Sequence, residues 1–161
     1  MRITNGGNVL IGSATATGTA SQPLQVTGGA YVSGNLGIGT TNPTAKLYLQ
    51  GNAAANIVAL GNTNATTTLD FTQGNNFSLT LTGSITLANP TGVTTGQSGL
   101  LLIQEDGTGG YTCAWGTSWD FASSTAPTLT TTASALNALP YFARSTTSIV
   151  VGSVIAGIGT L

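Results

Sequence analysis

Between residues 69 and 87 the apolar positions keep to one parity. Phe71, Phe77, Leu79, Leu81, Ile85 and Leu87 are all odd-numbered, with Thr or Ser between most of them. Alternation with a period of two predicts strands with one face buried and the other wet. Gly83 interrupts the run and predicts a turn or bulge. Asn89-Pro90-Thr91-Gly92 predicts a turn. Leu100-Leu101-Leu102-Ile103 is apolar on both faces, as expected of a central strand. Residues 105–110, Glu-Asp-Gly-Thr-Gly-Gly, read as a hairpin connection. Tyr111, Cys113 and Trp115 then alternate on the return strand, and Trp119 and Phe121 continue that parity. Residues 133–139 read as one helical turn ended by Pro140. Residues 141–144 and 149–155 read as closing strands. The pattern predicts an all-β fold whose main part is an antiparallel β-sandwich or barrel-like head.

The first 51 residues are patterned differently. Gly7-Asn8-Val9-Leu10-Ile11-Gly12 is repeated loosely as Gly34-Asn35-Leu36-Gly37-Ile38-Gly39. Each copy is followed by a segment of small or turn-forming residues. Each then closes on a short strand and a glycine: Leu24-Gln25-Val26-Thr27-Gly28, then Leu47-Tyr48-Leu49-Gln50-Gly51. Such a unit is too thin to bury its own apolar face and needs stacking or a partner chain. The expected division is a Gly-rich stalk or base over residues 1–51 and a head over residues 52–161. Within the head, residues 52–68 are Ala/Asn/Thr-rich, with one short strand at Ile57-Val58-Ala59-Leu60.

Composition narrows the chemistry. Of 161 residues, three are Lys or Arg, four are Asp or Glu, and none is His. There is thus no Ser-His-Asp triad and no His-ligated metal. Three cations make no phosphate-neutralising stripe, so nucleic acid is not an expected partner, and membrane insertion is not expected either. A chain this close to neutral, with so few charges of either sign, tends to associate. Disorder is not expected, because disordered chains combine low hydrophobicity with high charge, whereas here 40% of residues are hydrophobic. The single cysteine, Cys113, reads as a small buried hydrophobe. The N-terminus has no apolar core of signal-peptide length, so a product made in a cytoplasm is expected.

Two segments resemble phage virion proteins. Gly34-Asn35-Leu36-Gly37-Ile38-Gly39-Thr40-Thr41-Asn42-Pro43-Thr44-Ala45-Lys46-Leu47 is similar to a unit common in tail-fibre and appendage proteins. Residues 83–90, Gly96-Gln97-Ser98-Gly99, the turn at 104–109, Trp115-Gly116, Trp119 and Ala126-Pro127-Thr128-Leu129-Thr130 resemble a β-rich module of virion-surface proteins. The resemblance implies a homotrimer on the virion surface, made in the host cytoplasm. The self-cleaving chaperone domain that often follows such repeats is not expected in so short a chain. That favours a decoration (cement) protein or short head fibre docked on the major capsid protein or a tail or vertex protein. The alternative is a short receptor-binding tail fibre contacting host glycan. Leu10, Ile11, Val26, Leu36, Ile38, Leu47 and Leu49 are the expected trimer-packing residues.

Candidate catalytic groups are few. Glu105 and Asp106 are adjacent, so on a strand they would face opposite ways. Asp70 and Asp120 are the remaining carboxylates, and no nucleophile, base or oxyanion motif accompanies them. No enzyme activity, cofactor or metal is expected. Tyr111, Trp115 and Trp119, with Tyr141, are either an aromatic platform for sugar or core packing.

Overall fold

The computed structural model describes residues 30–159 and three short strands before them: β1 (Arg2–Ile3), β2 (Val9–Ile11) and β3 (Leu24–Val26). The chain divides into two compact units, Met1–Ala53 and Ala54–Leu161. Among the described residues the structure is all-β, broken by one 3-10 turn at Ala122–Ser124.

In the first unit β1 runs antiparallel to β2, and β2 runs parallel to β3. A second parallel pair follows, β4 (Leu36–Ile38) with β5 (Leu47–Leu49). Its backbone is closed by Leu36 N–H donating to Lys46 O (2.8 Å) and Gln50 N–H donating to Ile38 O (2.9 Å). The connection is compressed, which explains its glycines. A Cβ on Gly37 would come within 2.8 Å of Thr40 O, and Gly39 holds a φ of +77° against Gln50 O. Asn35 Nδ2 donates to Pro43 O (3.0 Å) and Lys46 Nζ to Ser33 O (3.2 Å), tying the turn to its flanks. The segments expected to follow Gly12 and to close at Thr27-Gly28 lie outside the described residues.

The second unit begins as a flattened coil. β6 (Ile57–Thr63), β7 (Asn76–Leu81) and β9 (Ser98–Glu105) lie parallel, with one register shift in β6 between Ala59 and Gly61. Between β6 and β7 the chain returns through a second layer. There residues 67 and 70 bridge in parallel to Leu87 and Thr91, at and just beyond β8 (Ile85–Leu87). β8 in turn pairs in parallel with β10 (Cys113–Trp115). The coil thus makes three turns, each with one strand in the large sheet and one segment in the small layer. Leu69, Phe71, Phe77, Leu79, Leu81, Ile85, Leu87, Leu101 and Ile103 fill the space between the layers, none more than 5% exposed.

The last third of the chain seals the coil. β11 (Trp119–Asp120) leads to β12 (Leu136–Ser145), which runs antiparallel along β9 over seven residue pairs. β13 (Ser148–Val151) and β14 (Ile155–Ile158) both pair antiparallel with β12, and β11 joins the outer side of β13 in parallel.

The fold departs from three sequence expectations. The head is not an antiparallel sandwich: β6, β7 and β9 are parallel, as are β8 and β10. The alternation of Phe71 to Leu87 does put those side chains in the core, but a period of two is shared by both pairings. Residues 105–110 are not a hairpin connection. Asp106 Oδ1 accepts Thr108 N–H (2.7 Å) and Gly109 N–H (3.0 Å), and Gly109 and Gly110 take φ of +69° and +87°. This turns the chain away from β9 and across to the second layer. Residues 133–139 are not helical either, and Pro140 lies within β12. Pro140 O accepts Gly152 N–H (2.8 Å), so its missing N–H points to the same outer side. There β12 changes partner from β14 to β13, and the one ladder bond Pro140 cannot make is the return bond to Gly152 O at the end of the β12–β13 pairing.

Candidate functional site

Among the described residues no three His, Cys, Asp or Glu side chains gather in a cleft. The open features of the structure are apolar faces that the chain leaves uncovered. The first are the paired strands of unit one. Leu36 stands opposite Leu47, and Ile38 opposite Leu49, so four aliphatic side chains share one face of the β4–β5 pair. They are 43%, 64%, 50% and 38% exposed. The β2–β3 pair repeats the arrangement, with Val9 opposite Leu24 and Ile11 opposite Val26. Ile11, Leu24 and Val26 are exposed there as well. The side chain of Leu10 lies outside the described residues. A two-stranded pair is marginal by itself in water, and among the described residues of this unit none is buried.

The aromatic candidates of the head belong to its interior. Trp119 is 4% exposed, and its Nε1–H donates to Ala88 O (3.0 Å). It meets Trp115 edge to face at 5.6 Å and Phe71 at 6.4 Å between ring centroids. Trp115 also meets Phe121 at 5.2 Å, and Phe71 meets Tyr141 at 5.1 Å. Tyr111 and Trp115 are half-buried against the same core. Cys113 packs there too, and burial pushes its thiol up to about 11, so it is not a poised thiolate.

The carboxylates are engaged where they stand. Asp70 Oδ1 accepts the Thr72 hydroxyl (2.7 Å) and the Thr72 N–H (3.0 Å), and these bonds hold its carboxyl below the ordinary range. Asp106 closes the turn described above. Asp120 Oδ2 accepts the Ser148 hydroxyl and lies 3.9 Å from Arg144 Nη2. Glu105 is 1% exposed, with one oxygen on Tyr111 N–H (3.2 Å) and the other without a partner. Among the described residues no three His, Cys, Asp or Glu side chains converge to hold a metal, and no helix is long and apolar enough to cross a membrane.

A second open face lies on the outer side of the large sheet. Phe142 on β12 pairs with Val150 on β13, and both are exposed. Asp120 on β11 pairs with Val150 from the other side. Arg144 and Ser148 stand beside them. Sequence reading missed this face because its residues come from three strands. Only the register of those strands brings residues 120, 142 and 150 into one row. The one signal present in the sequence is Phe142 itself, an aromatic residue on the opposite parity from its neighbour Tyr141.

Comparison with family models, with curated proteins and with solved structures returned no match.

Proposed function

We propose that this chain is a structural protein of a phage virion, a short trimeric decoration protein or head fibre. The first unit docks on the capsid or on a tail or vertex protein, and the head is displayed. The observation that carries the reading is the uncovered β4–β5 face: Leu36, Ile38, Leu47 and Leu49 are paired in register and left in water by a single chain. Burying side chains of this size is worth about 1.5–3 kcal/mol each. Three copies facing one axis would give each such face a partner without any further chain. The near absence of charge supports the same reading, because nothing repels like subunits. The resemblance of residues 34–47 to appendage repeats supplies the virion.

The test is copy number per particle, by quantitative mass spectrometry of purified virions against the major capsid protein. A number comparable with the capsid protein is expected of a decoration lattice. A small multiple of three places the chain on a tail or vertex instead. Absence from purified particles overturns the proposal. The receptor-binding alternative is favoured by one observation, the outward row of Phe142, Val150 and Asp120.

A further inference from the structure

We infer that the outer face of β11, β13 and β12 is a binding site for a saccharide carrying neighbouring hydroxyl groups. The register sets its layout. Phe142 is opposite Val150, and Val150 is opposite Asp120, so an aromatic ring, a branched aliphatic and a carboxylate stand side by side across three strands. Phe142 is 49% exposed and Val150 42%. On one side of this row the Ser148 hydroxyl donates to Asp120 Oδ2 and accepts Arg144 Nε–H at 3.1 Å. On the other side, Pro140 and Gly152 keep the surface low. A groove of about 340 Å³ runs past Asp120, Arg144 and Val150. A second, of about 260 Å³, runs past Phe142 and shares Val150 with it.

Chemistry selects the ligand class. A sugar ring has an apolar C–H face, which stacks on an aromatic ring, and a rim of hydroxyls that both donate and accept. An ionised carboxylate accepts two such hydroxyls, and a guanidinium donates in a planar fork. Both protein contacts to Asp120 fall on Oδ2, and Oδ1 accepts no hydrogen bond among the described residues. The Arg144 and Asp120 side chains are 72% and 46% exposed, and an ion pair this open contributes little stability. Yet a chain with seven charged residues puts two of them here. A purely apolar partner would strand both charges. A polyanion would meet Asp120, and a polycation would find no net charge to match. A neutral, hydroxyl-rich ligand with one apolar face satisfies every group.

The inference deepens the virion-surface reading by naming what a displayed head would hold. The two fail separately, since copy number tests the virion and the following experiment tests the groove. The intact chain, in the oligomeric state in which it purifies, is screened on an array of neutral oligosaccharides, and any hit is titrated. Binding is expected. It should weaken at least tenfold in Asp120→Asn and in Phe142→Ala, with the oligomeric state by light scattering unchanged. Asp120→Asn keeps an acceptor for Ser148, so loss in that variant reports the carboxylate and not the fold. No binding to the array overturns the inference, as does binding that Asp120→Asn leaves unchanged. Dissociation of the oligomer by Phe142→Ala also overturns it, because the face is then an interface between copies.

Discussion

Glu105 is the residue whose environment suits its charge least. It points inward at the end of β9, in register with Leu81, with one oxygen unpartnered. Burial pushes its carboxyl above the ordinary range, the neighbouring Asp106 charge adds to this, and the Tyr111 N–H works against it. A carboxyl raised in the folded state gives stability that is complete below its unfolded value of about 4.3. That stability is lost as pH rises through the higher folded value. Asp70 and Asp106 are held below their ordinary range, so their contribution has the opposite sign and is lost only in stronger acid. Urea midpoints of the wild type should therefore fall between pH 4.5 and 8. Glu105→Gln should flatten that slope and gain on the order of 1 kcal/mol at pH 8, the scale of an unsatisfied buried polar group. A variant that keeps the wild-type slope assigns it to another group. Gly99 is the opposite case, a residue defined by what it lacks. A Cβ there would lie 1.6 Å from Asn75 O, the carbonyl that accepts the Tyr141 hydroxyl at 2.7 Å. Gly99→Ala should cost about 3 kcal/mol by overpacking, and Tyr141→Phe about 1 kcal/mol by removing one hydrogen bond. Thermal denaturation of the two variants orders them.

At the scale of elements, β12 shows how a side chain stands in for a strand. Asn137 is fully buried; its Oδ1 accepts Thr130 N–H (2.9 Å) and its Nδ2 donates to Thr130 O (3.1 Å) and Ile103 O (3.4 Å). Residue 130 is thus held by the two bonds that a strand neighbour would make. Asn137→Leu fills the volume but leaves those groups unpaired, at a cost of about 1–3 kcal/mol. Hydrogen exchange should show the Thr130 amide losing protection while the amides of β7 keep theirs. Equal loss in both would mean global destabilisation. The same element marks where sequence reading stopped. Which side of each strand faces inward was legible from Phe71, Phe77, Leu79 and Leu81, because pleating alone decides it. Which strand lies beside which was not. Parity is the same for a hairpin return and for a crossover, and residues 105–110 carry turn chemistry that serves either. Pro140 misled for a related reason. Its missing N–H breaks a helix interior, but costs a strand only one terminal bond at a change of neighbour. The apolar repeat of the first unit was legible as a face needing cover, whereas the Phe142 face depends on cross-strand register that no local pattern encodes.

At the scale of the whole molecule, few charges and open aliphatic faces mean that any association between copies would rest on shape and water. If the β4–β5 face packs between copies, replacing Leu47 or Ile38 with Asp should leave a folded monomer. Light scattering would report the loss of the oligomer, and near-ultraviolet circular dichroism of the Trp115–Trp119 cluster the persistence of the head. An oligomer that survives both substitutions removes this face from the interface. Because the charges are so few, raising salt from 0.05 to 0.5 M should change association little, unlike an interface built on ion pairs.

The place of β12 in the chain has a consequence for synthesis. All three turns of the coil leave the ribosome before the strand that β9, β13 and β14 pair with. Until residues 136–145 arrive, β9 is an unprotected edge. A product truncated before that point has turns but no seal, with Leu101 and Ile103 beside an open ladder. Such a fragment presents bare strand edges to proteases and chaperones, and lacks the surface of a finished subunit. A partly made chain therefore differs from a whole one in whether β12 has closed the open ladder of its third turn.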